Sequence, residues 1–300
     1  MSPPALTPAG LTPAGLVPAA LAPVEAALAA LRVRRGLVAV AGLHPGLVVT
    51  DQQGWTPATR LVDGTALPDM LDTARRRWRA QPPAAAALAW KSYTYWLALP
   101  VVLSYAAVGQ VPLLTAADVL VRFYDHQPFL TIGLRPGTPV AAPAPTGLAS
   151  PQLASPQLAG PRPGGLVGVP DSAALLVALR EALLDRHLLP LLERIRSVVN
   201  IGHRTLLGSV ASGVAYAAVR TIPVAPGPSG PDVAVATAHR LLAALGVADL
   251  VALDRAPSGE VAVWRRTCCL AFTLPEPKIC SGCCIRRPDL ALGAGLPAGD

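Results

Sequence analysis

All five cysteines of this 300-residue chain lie between Cys268 and Cys284, within seventeen residues. A disulfide framework spreads its cysteines along a chain to close loops, so this clustering favours metal over disulfides. The spacing is C-C-x10-C-x2-C, from Cys268, Cys269, Cys280 and Cys283, with Cys284 trailing. The Cys280 to Cys283 half is a two-residue chelate loop common to zinc, cluster and dithiol sites. Gly282 inside it is expected to take positive φ and turn backbone N–H groups toward sulfur. The other half is unusual. Adjacent residues of an extended strand point to opposite faces, so the backbone must bend at Cys268 and Cys269 for both to reach one centre. Structural zinc sites space their ligands by two to four residues, so a vicinal pair counts against zinc without removing it. A redox-active vicinal disulfide would leave the other three cysteines unexplained. Four thiolates is also the ligand count of a [2Fe-2S] cluster. Pro275 and Pro277 around Glu276 exclude helix in the spacer and predict an exposed loop between the two ligand pairs.

From Trp264 to Arg287, four arginines and one lysine stand against Glu276 alone, a local charge of +4. Cluster thiolates and sulfides are anionic. Arg265, Arg266, Arg286 and Arg287 are therefore candidates to offset that charge, raise the reduction potential and dock an acidic partner. Each taken singly reads equally well as an ordinary surface arginine. Trp264, four residues before the first cysteine, is a candidate to shield the site from water. The whole chain carries +7, but its basic residues are scattered in short groups with no recognition motif, which argues against nucleic acid. His44, His126, His187, His203 and His239 share no metal-ligand spacing and read as surface or satisfied histidines. No Walker loop, dinucleotide fingerprint or nucleophile elbow is present, so no nucleotide or flavin site is expected.

The expected fold class is α+β: a helix-dominated body with a small β-hairpin region, a proline-rich insertion and a C-terminal cysteine-rich module. Residues 1–23, with a repeated Thr-Pro-Ala-Gly-Leu unit, read as a disordered Pro/Ala arm. Residues 24–257 form the body, interrupted by a disordered Pro-rich insertion at 136–170 that contains a tandem Ala-Ser-Pro-Gln-Leu repeat. Residues 258–300 form the cluster domain. Within the body, helices are expected over 24–35, 68–80, 84–100, 171–192, 205–220 and 232–245, with Pro190 breaking or kinking the fourth. A hairpin is expected from 119–124 and 128–134. Trp90, Tyr93, Tyr95 and Trp96 are core filler first and a docking surface second. Ser92 to Gln110 lacks charge and approaches the length of a membrane span, but Pro100 near its middle favours a buried helix or helix pair. The N-terminal stretch has neither the basic nor the unbroken apolar region of a secretory signal, which predicts a cytoplasmic location.

The motif C-C-x10-C-x2-C near the C-terminus, preceded by Arg265-Arg266, resembles the signature of FhuF-like ferric siderophore reductases, over about the last forty residues of the chain. The resemblance implies that Cys268, Cys269, Cys280 and Cys283 ligate a [2Fe-2S] cluster, with Cys284 as a possible substitute for Cys283. It further implies a one-electron reductase whose substrate is a ferric siderophore; the basic surroundings of the cysteines suit a ferredoxin-like or other electron donor. No integral membrane span is expected, and peripheral membrane contact is compatible. The competing expectations are a structural zinc module on the same cysteines and an iron-sulfur redox sensor without reductase activity.

Overall fold

A computed structural model describes residues 19–144, 165–225, 227–255 and 259–286. The expected arm lies almost entirely outside these residues, as do the centre of the proline-rich tract and Arg287. The fold is α+β with helices dominant. Helix α1 (Ala22–Arg35) starts on a proline in its first turn, carries Glu25 there and ends in Arg32, Arg34 and Arg35, complementing the helix dipole at both ends. Strands β1 (Leu43–Val48) and β2 (Thr56–Pro57) and the short α2 (Thr59–Val62) lead to α3 (Leu67–Trp78), which stops at a left-handed Arg79.

Helix α4 (Pro82–Val108) is the spine of the molecule. It runs unbroken through Pro100 rather than ending there, and Gly109 at φ 63° closes it. Its buried residues extend around the whole circumference, from Ala84 to Ser104, so tertiary packing supplies what the proline removes. Strands β3 (Val111–Pro112), β4 (Val119–Phe123) and β5 (Leu130–Leu134) follow; β4 and β5 form the expected antiparallel hairpin, with Val121 opposite Ile132. The four-stranded sheet has the order β1-β5-β4-β2, with β1 parallel to β5.

The proline-rich tract is not disordered at its ends. Strand β6 (Val140–Pro143) pairs in parallel with β7 (Leu166–Val169), and β3 completes a three-stranded sheet. Val140, Ala141 and Ala142 are buried there, so apolar side chains hold residues that proline content alone assigned to a linker.

Asp171 caps α5 (Ser172–Leu179), its carboxylate accepting the Ala174 N–H at 2.8 Å. The helix then widens into a π-helical stretch, Arg180–Leu188, and continues as α6 (Leu189–Val198). Pro190 therefore neither breaks nor ends the helix. It sits in the first turn of α6, and the wider turn before it accommodates the missing N–H and the bulk of the ring. The π stretch carries His187, fully buried, whose Nδ1 meets the Leu114 carbonyl at 2.9 Å and whose Nε2 meets the Tyr93 hydroxyl at 2.7 Å. The Leu114 carbonyl can only accept, which fixes the proton on Nδ1 and makes Tyr93 the donor to Nε2.

Helix α7 (His203–Thr221) packs on α4, and α8 (Pro231–Ala244) closes the helical layer before the left-handed Gly246. Among the described residues one helical segment, His203–Val224, is long and apolar enough to cross a membrane, and 72% of its apolar window is buried inside the fold. Strands β8 (Val251–Arg255) and β9 (Val261–Arg265) form an antiparallel hairpin that straddles the expected domain boundary at 258. The cysteine-bearing segment is thus built onto the body, with β9 lying against α7.

Candidate metal centre

Helix α7 offers the cysteine segment a face of small side chains. At Gly213 the helix lies against the Thr94 and Tyr95 backbone of α4, and at Gly208 a Cβ would overlap the Thr267 side chain. Between these close approaches, Ser209 and Ser212 turn their hydroxyls to Arg265, the last residue of β9. Its Nη1 donates to Ser212 Oγ at 2.9 Å, its Nη2 to Ser209 Oγ at 3.1 Å and its Nε to the Thr267 carbonyl at 3.2 Å. Arg265 is 1% exposed. It cannot dock a partner, and that part of the expectation is corrected. The reason is steric and electrostatic together: the small α7 residues open a slot that only a long side chain ending in donors can fill. No carboxylate pairs with this buried guanidinium among the described residues.

Beyond Arg265 the chain bends, as the vicinal cysteines require. Leu270 adopts a left-handed conformation at φ 60°, and its N–H points back at Cys268 Sγ at 3.3 Å. The spacer is short-range structure on an exposed run: a single 3-10 turn over Ala271–Thr273, then residues open to solvent from Pro275 to Ile279. Lys278 N–H returns to the Ala271 carbonyl at 3.0 Å and brings Cys280 back beside the pair. The Cys283 N–H bonds the Cys280 carbonyl at 3.1 Å, closing the chelate turn.

Gly282 serves this turn differently from expectation. It is absent from the positive-φ glycines among the described residues. What it provides is closeness: a Cβ would overlap the Val263 carbonyl, and the Gly282 carbonyl accepts the Arg265 N–H at 2.9 Å. The cysteine loop is therefore pressed edge-on against β9.

The five thiols, all unpaired, form one neighbourhood. The Cys280 thiol donates to the Cys269 sulfur, and this hydrogen bond, outweighing desolvation and helped by Lys91 and Arg265, holds Cys269 below the ordinary thiol range. Cys280 is pushed up for the same reason. On the other side, Cys284 contacts both Cys268 and Cys283; burial and these neighbouring sulfurs push Cys284 up to about 11, and burial raises Cys268. Among the described residues no group of three or more His, Cys, Asp or Glu stands as a ready site for a single ion. The thiols hydrogen-bond as Cys269 with Cys280 and as Cys284 with Cys268 and Cys283, and charge interactions of Cys268 with Cys269 and of Cys280 with Cys283 join all five. A binuclear cluster takes its four thiolates two to each iron, so this donor set suits it chemically. Cys269, Cys283 and Cys284 are buried, whereas Cys268 and Cys280 are half-buried.

The remaining arginines divide. Arg266 is half-buried with its Nε enclosed and without a hydrogen-bond partner, and Arg286 is exposed at the end of the turn Cys284–Arg286. Trp264 lies on the face of β9 opposite Val263 and Arg265. Lys91, which sequence reasoning missed, reaches both Cys269 and Cys280 electrostatically. A signal was present: it is the one charged residue in the twenty-seven of α4. Of the α4 aromatics expected as core filler, Trp90 and Tyr93 are fully buried, Trp90 donating to the Leu206 carbonyl at 2.8 Å, while Tyr95 and Trp96 reach the surface.

The chain matches no protein-family model and no curated protein.

Proposed function

We propose that this chain is a [2Fe-2S] protein that reduces siderophore-bound Fe(III) by one electron and so releases Fe(II), with Cys268, Cys269, Cys280 and Cys283 holding the cluster. The observation that carries the reading is Arg265: a buried guanidinium satisfied by neutral acceptors, without a carboxylate among the described residues, beside five thiols. Burying a cation costs several kcal/mol unless an anion accompanies it, and thiolates are the anions at hand. The reductase assignment rests on the resemblance of the cysteine motif to FhuF-like reductases.

When bound, a [2Fe-2S] cluster supplies a store for one electron. Arg265 and Lys91 offset its negative charge, which grows on reduction, and so favour the reduced form. The Leu270 N–H, aimed at Cys268 Sγ, adds a hydrogen bond that does the same. Burial of Cys269 and Cys283 keeps water from that side. Cys268 and Cys280 lie toward the surface, where a donor protein of the ferredoxin class and a ferric chelate come within reach. Weaker binding of Fe(II) than Fe(III) by hard oxygen donors then frees the iron. No acid-base residue is needed.

Anaerobic purification with iron, sulfide and zinc analysis tests this. Two irons and two labile sulfides per chain, visible absorption bleached by dithionite, and Fe(II) release from a ferric hydroxamate by the reduced protein are expected. A colourless protein with stoichiometric zinc would refute it, and a bleachable cluster that reduces no ferric chelate would leave the protein a redox sensor.

A further inference from the structure

A groove runs from the surface to the cysteine loop. Its main chamber, about 870 Å³, lies between α1, α4, α7 and β9 and ends at Ser281, the residue after Cys280. A side chamber of about 270 Å³ contains Lys91 and Ser92. Tyr95, Trp96, Tyr216 and Arg220 line both, so the two chambers adjoin across these side chains. Tyr95 and Trp96 meet edge to face at 4.9 Å, and the Arg220 guanidinium stacks over the Tyr216 ring at 4.7 Å. Tyr216 is held in place from below, its hydroxyl donating to the Val263 carbonyl at 3.1 Å. The charges are unbalanced: Arg35, Lys91 and Arg220 line the walls against one carboxylate, Glu260, among the described residues. Neither Lys91 nor Arg220 forms an ion pair with a described carboxylate.

From this geometry we infer that the groove is the substrate site of the proposed reductase and selects anionic ferric chelates that bear aromatic rings, of the phenolate or catecholate type. The inference rests on the reductase reading and adds the substrate class. Aromatic walls give a flat ring of the ligand stacking surface, and Arg220 and Lys91 give cation–π and charge complementarity in one place. The position of Lys91 matters most, because it faces the groove and also acts on Cys269 and Cys280. A cluster held by the four cysteines would supply one electron, received from the ferredoxin-class donor, and the chelate's Fe(III) would become Fe(II). The chelate gains one negative charge and no bond in the protein breaks. Lys91 and Arg220 stabilise that extra charge, so the same residues that recognise the anion favour its reduction.

Gallium(III) chelates separate recognition from redox chemistry, because gallium(III) replaces iron(III) in size and charge but accepts no electron. Calorimetry on the protein as purified compares a hexadentate gallium tris-catecholate, charge −3, with a neutral gallium tris-hydroxamate of similar size. At low ionic strength the anion is expected to bind at least tenfold more tightly. Lys91→Gln and Arg220→Gln, checked for unchanged thermal melting, are each expected to weaken it about fivefold and leave the neutral chelate unchanged. Equal binding of the two chelates, or anion binding unaffected by both substitutions, overturns the inference. Iron and sulfide analysis of the same preparation decides the reductase reading separately: charge-selective gallium binding without a cluster sinks that reading, and a cluster without selectivity sinks this one.

Discussion

Replacing Arg265 by methionine is predicted to change the metal-free protein little and to weaken the metal-loaded one. In the metal-free chain the guanidinium is buried with three hydrogen bonds to neutral acceptors. Each charge-assisted bond contributes about 1.5–3 kcal/mol, while burying an uncompensated charge costs several kcal/mol. The two nearly cancel. Methionine keeps the length of the stem and removes both, and Ser212 Oγ retains its bond to the Ser209 carbonyl at 3.2 Å. The metal-free variant should therefore unfold within about 1–2 kcal/mol of wild type. With anionic sulfur bound to metal, the variant loses the Arg265 attraction and keeps that of Lys91 alone. Opposite unit charges roughly 7 Å apart at an effective dielectric of about 20 attract by about 2 kcal/mol, which is a fall of about 30-fold in metal retention. Urea unfolding of both forms, with iron loss to a competing chelator, measures the difference. Arg265→Lys keeps the charge without the fork and should recover part of the retention. The same destabilisation in both forms, or undiminished iron retention in the methionine variant, would refute the argument that the buried cation serves the thiols.

Cys283→Ala should abolish cluster retention while Cys284→Ala keeps it, because the closed Cys280–Cys283 turn supplies the chelate; iron content decides, and the reverse result makes Cys284 the ligand. Gly282→Ala forces a Cβ into the Val263 carbonyl and should lower stability by at least about 1–3 kcal/mol and reduce iron content, whereas Ser281→Ala, at an exposed position, should melt as wild type does. Burial holds His187 at about 4, below the ordinary value of 6.5, so the folded state binds fewer protons between those values. Its stabilisation is complete above pH 6.5 and is lost as pH falls toward 4, by about 3 kcal/mol. His187→Gln should flatten that part of the stability profile, and an unchanged slope between the variant and wild type would contradict the buried neutral assignment.

Local chemistry was legible in the sequence wherever a short-range rule set the outcome. The β4–β5 hairpin, the cap at Asp171 and the helices α7 and α8 follow from patterning and caps that need no distant partner. The bend at the vicinal cysteines follows as well, since alternation along a strand forbids two adjacent side chains from one centre. Rules about proline were overturned where tertiary burial outweighed them. Pro100 lies in a helical stretch, 97–104, whose every residue is buried, Pro190 follows a π-helical stretch, and the ends of the proline-rich tract pair as β6 and β7. The small residues Gly208, Ser209, Ser212 and Gly213 permit a close approach, but their spacing does not say which element makes it. They fit two neighbours at once: Gly213 admits α4, and the other three admit Thr267 and the Arg265 side chain. That is why the arginines flanking the cysteines could not be sorted by spacing. Arg265 and Arg266 are adjacent and chemically identical, and only strand alternation against α7 sends one fully inward to the thiols and leaves the other half-buried. Lys91 was hidden for the related reason that it approaches the cysteines across nearly 180 residues of sequence. What marks it is the cost of a lone charge on an otherwise apolar helix, which folding tolerates where an anion stands opposite.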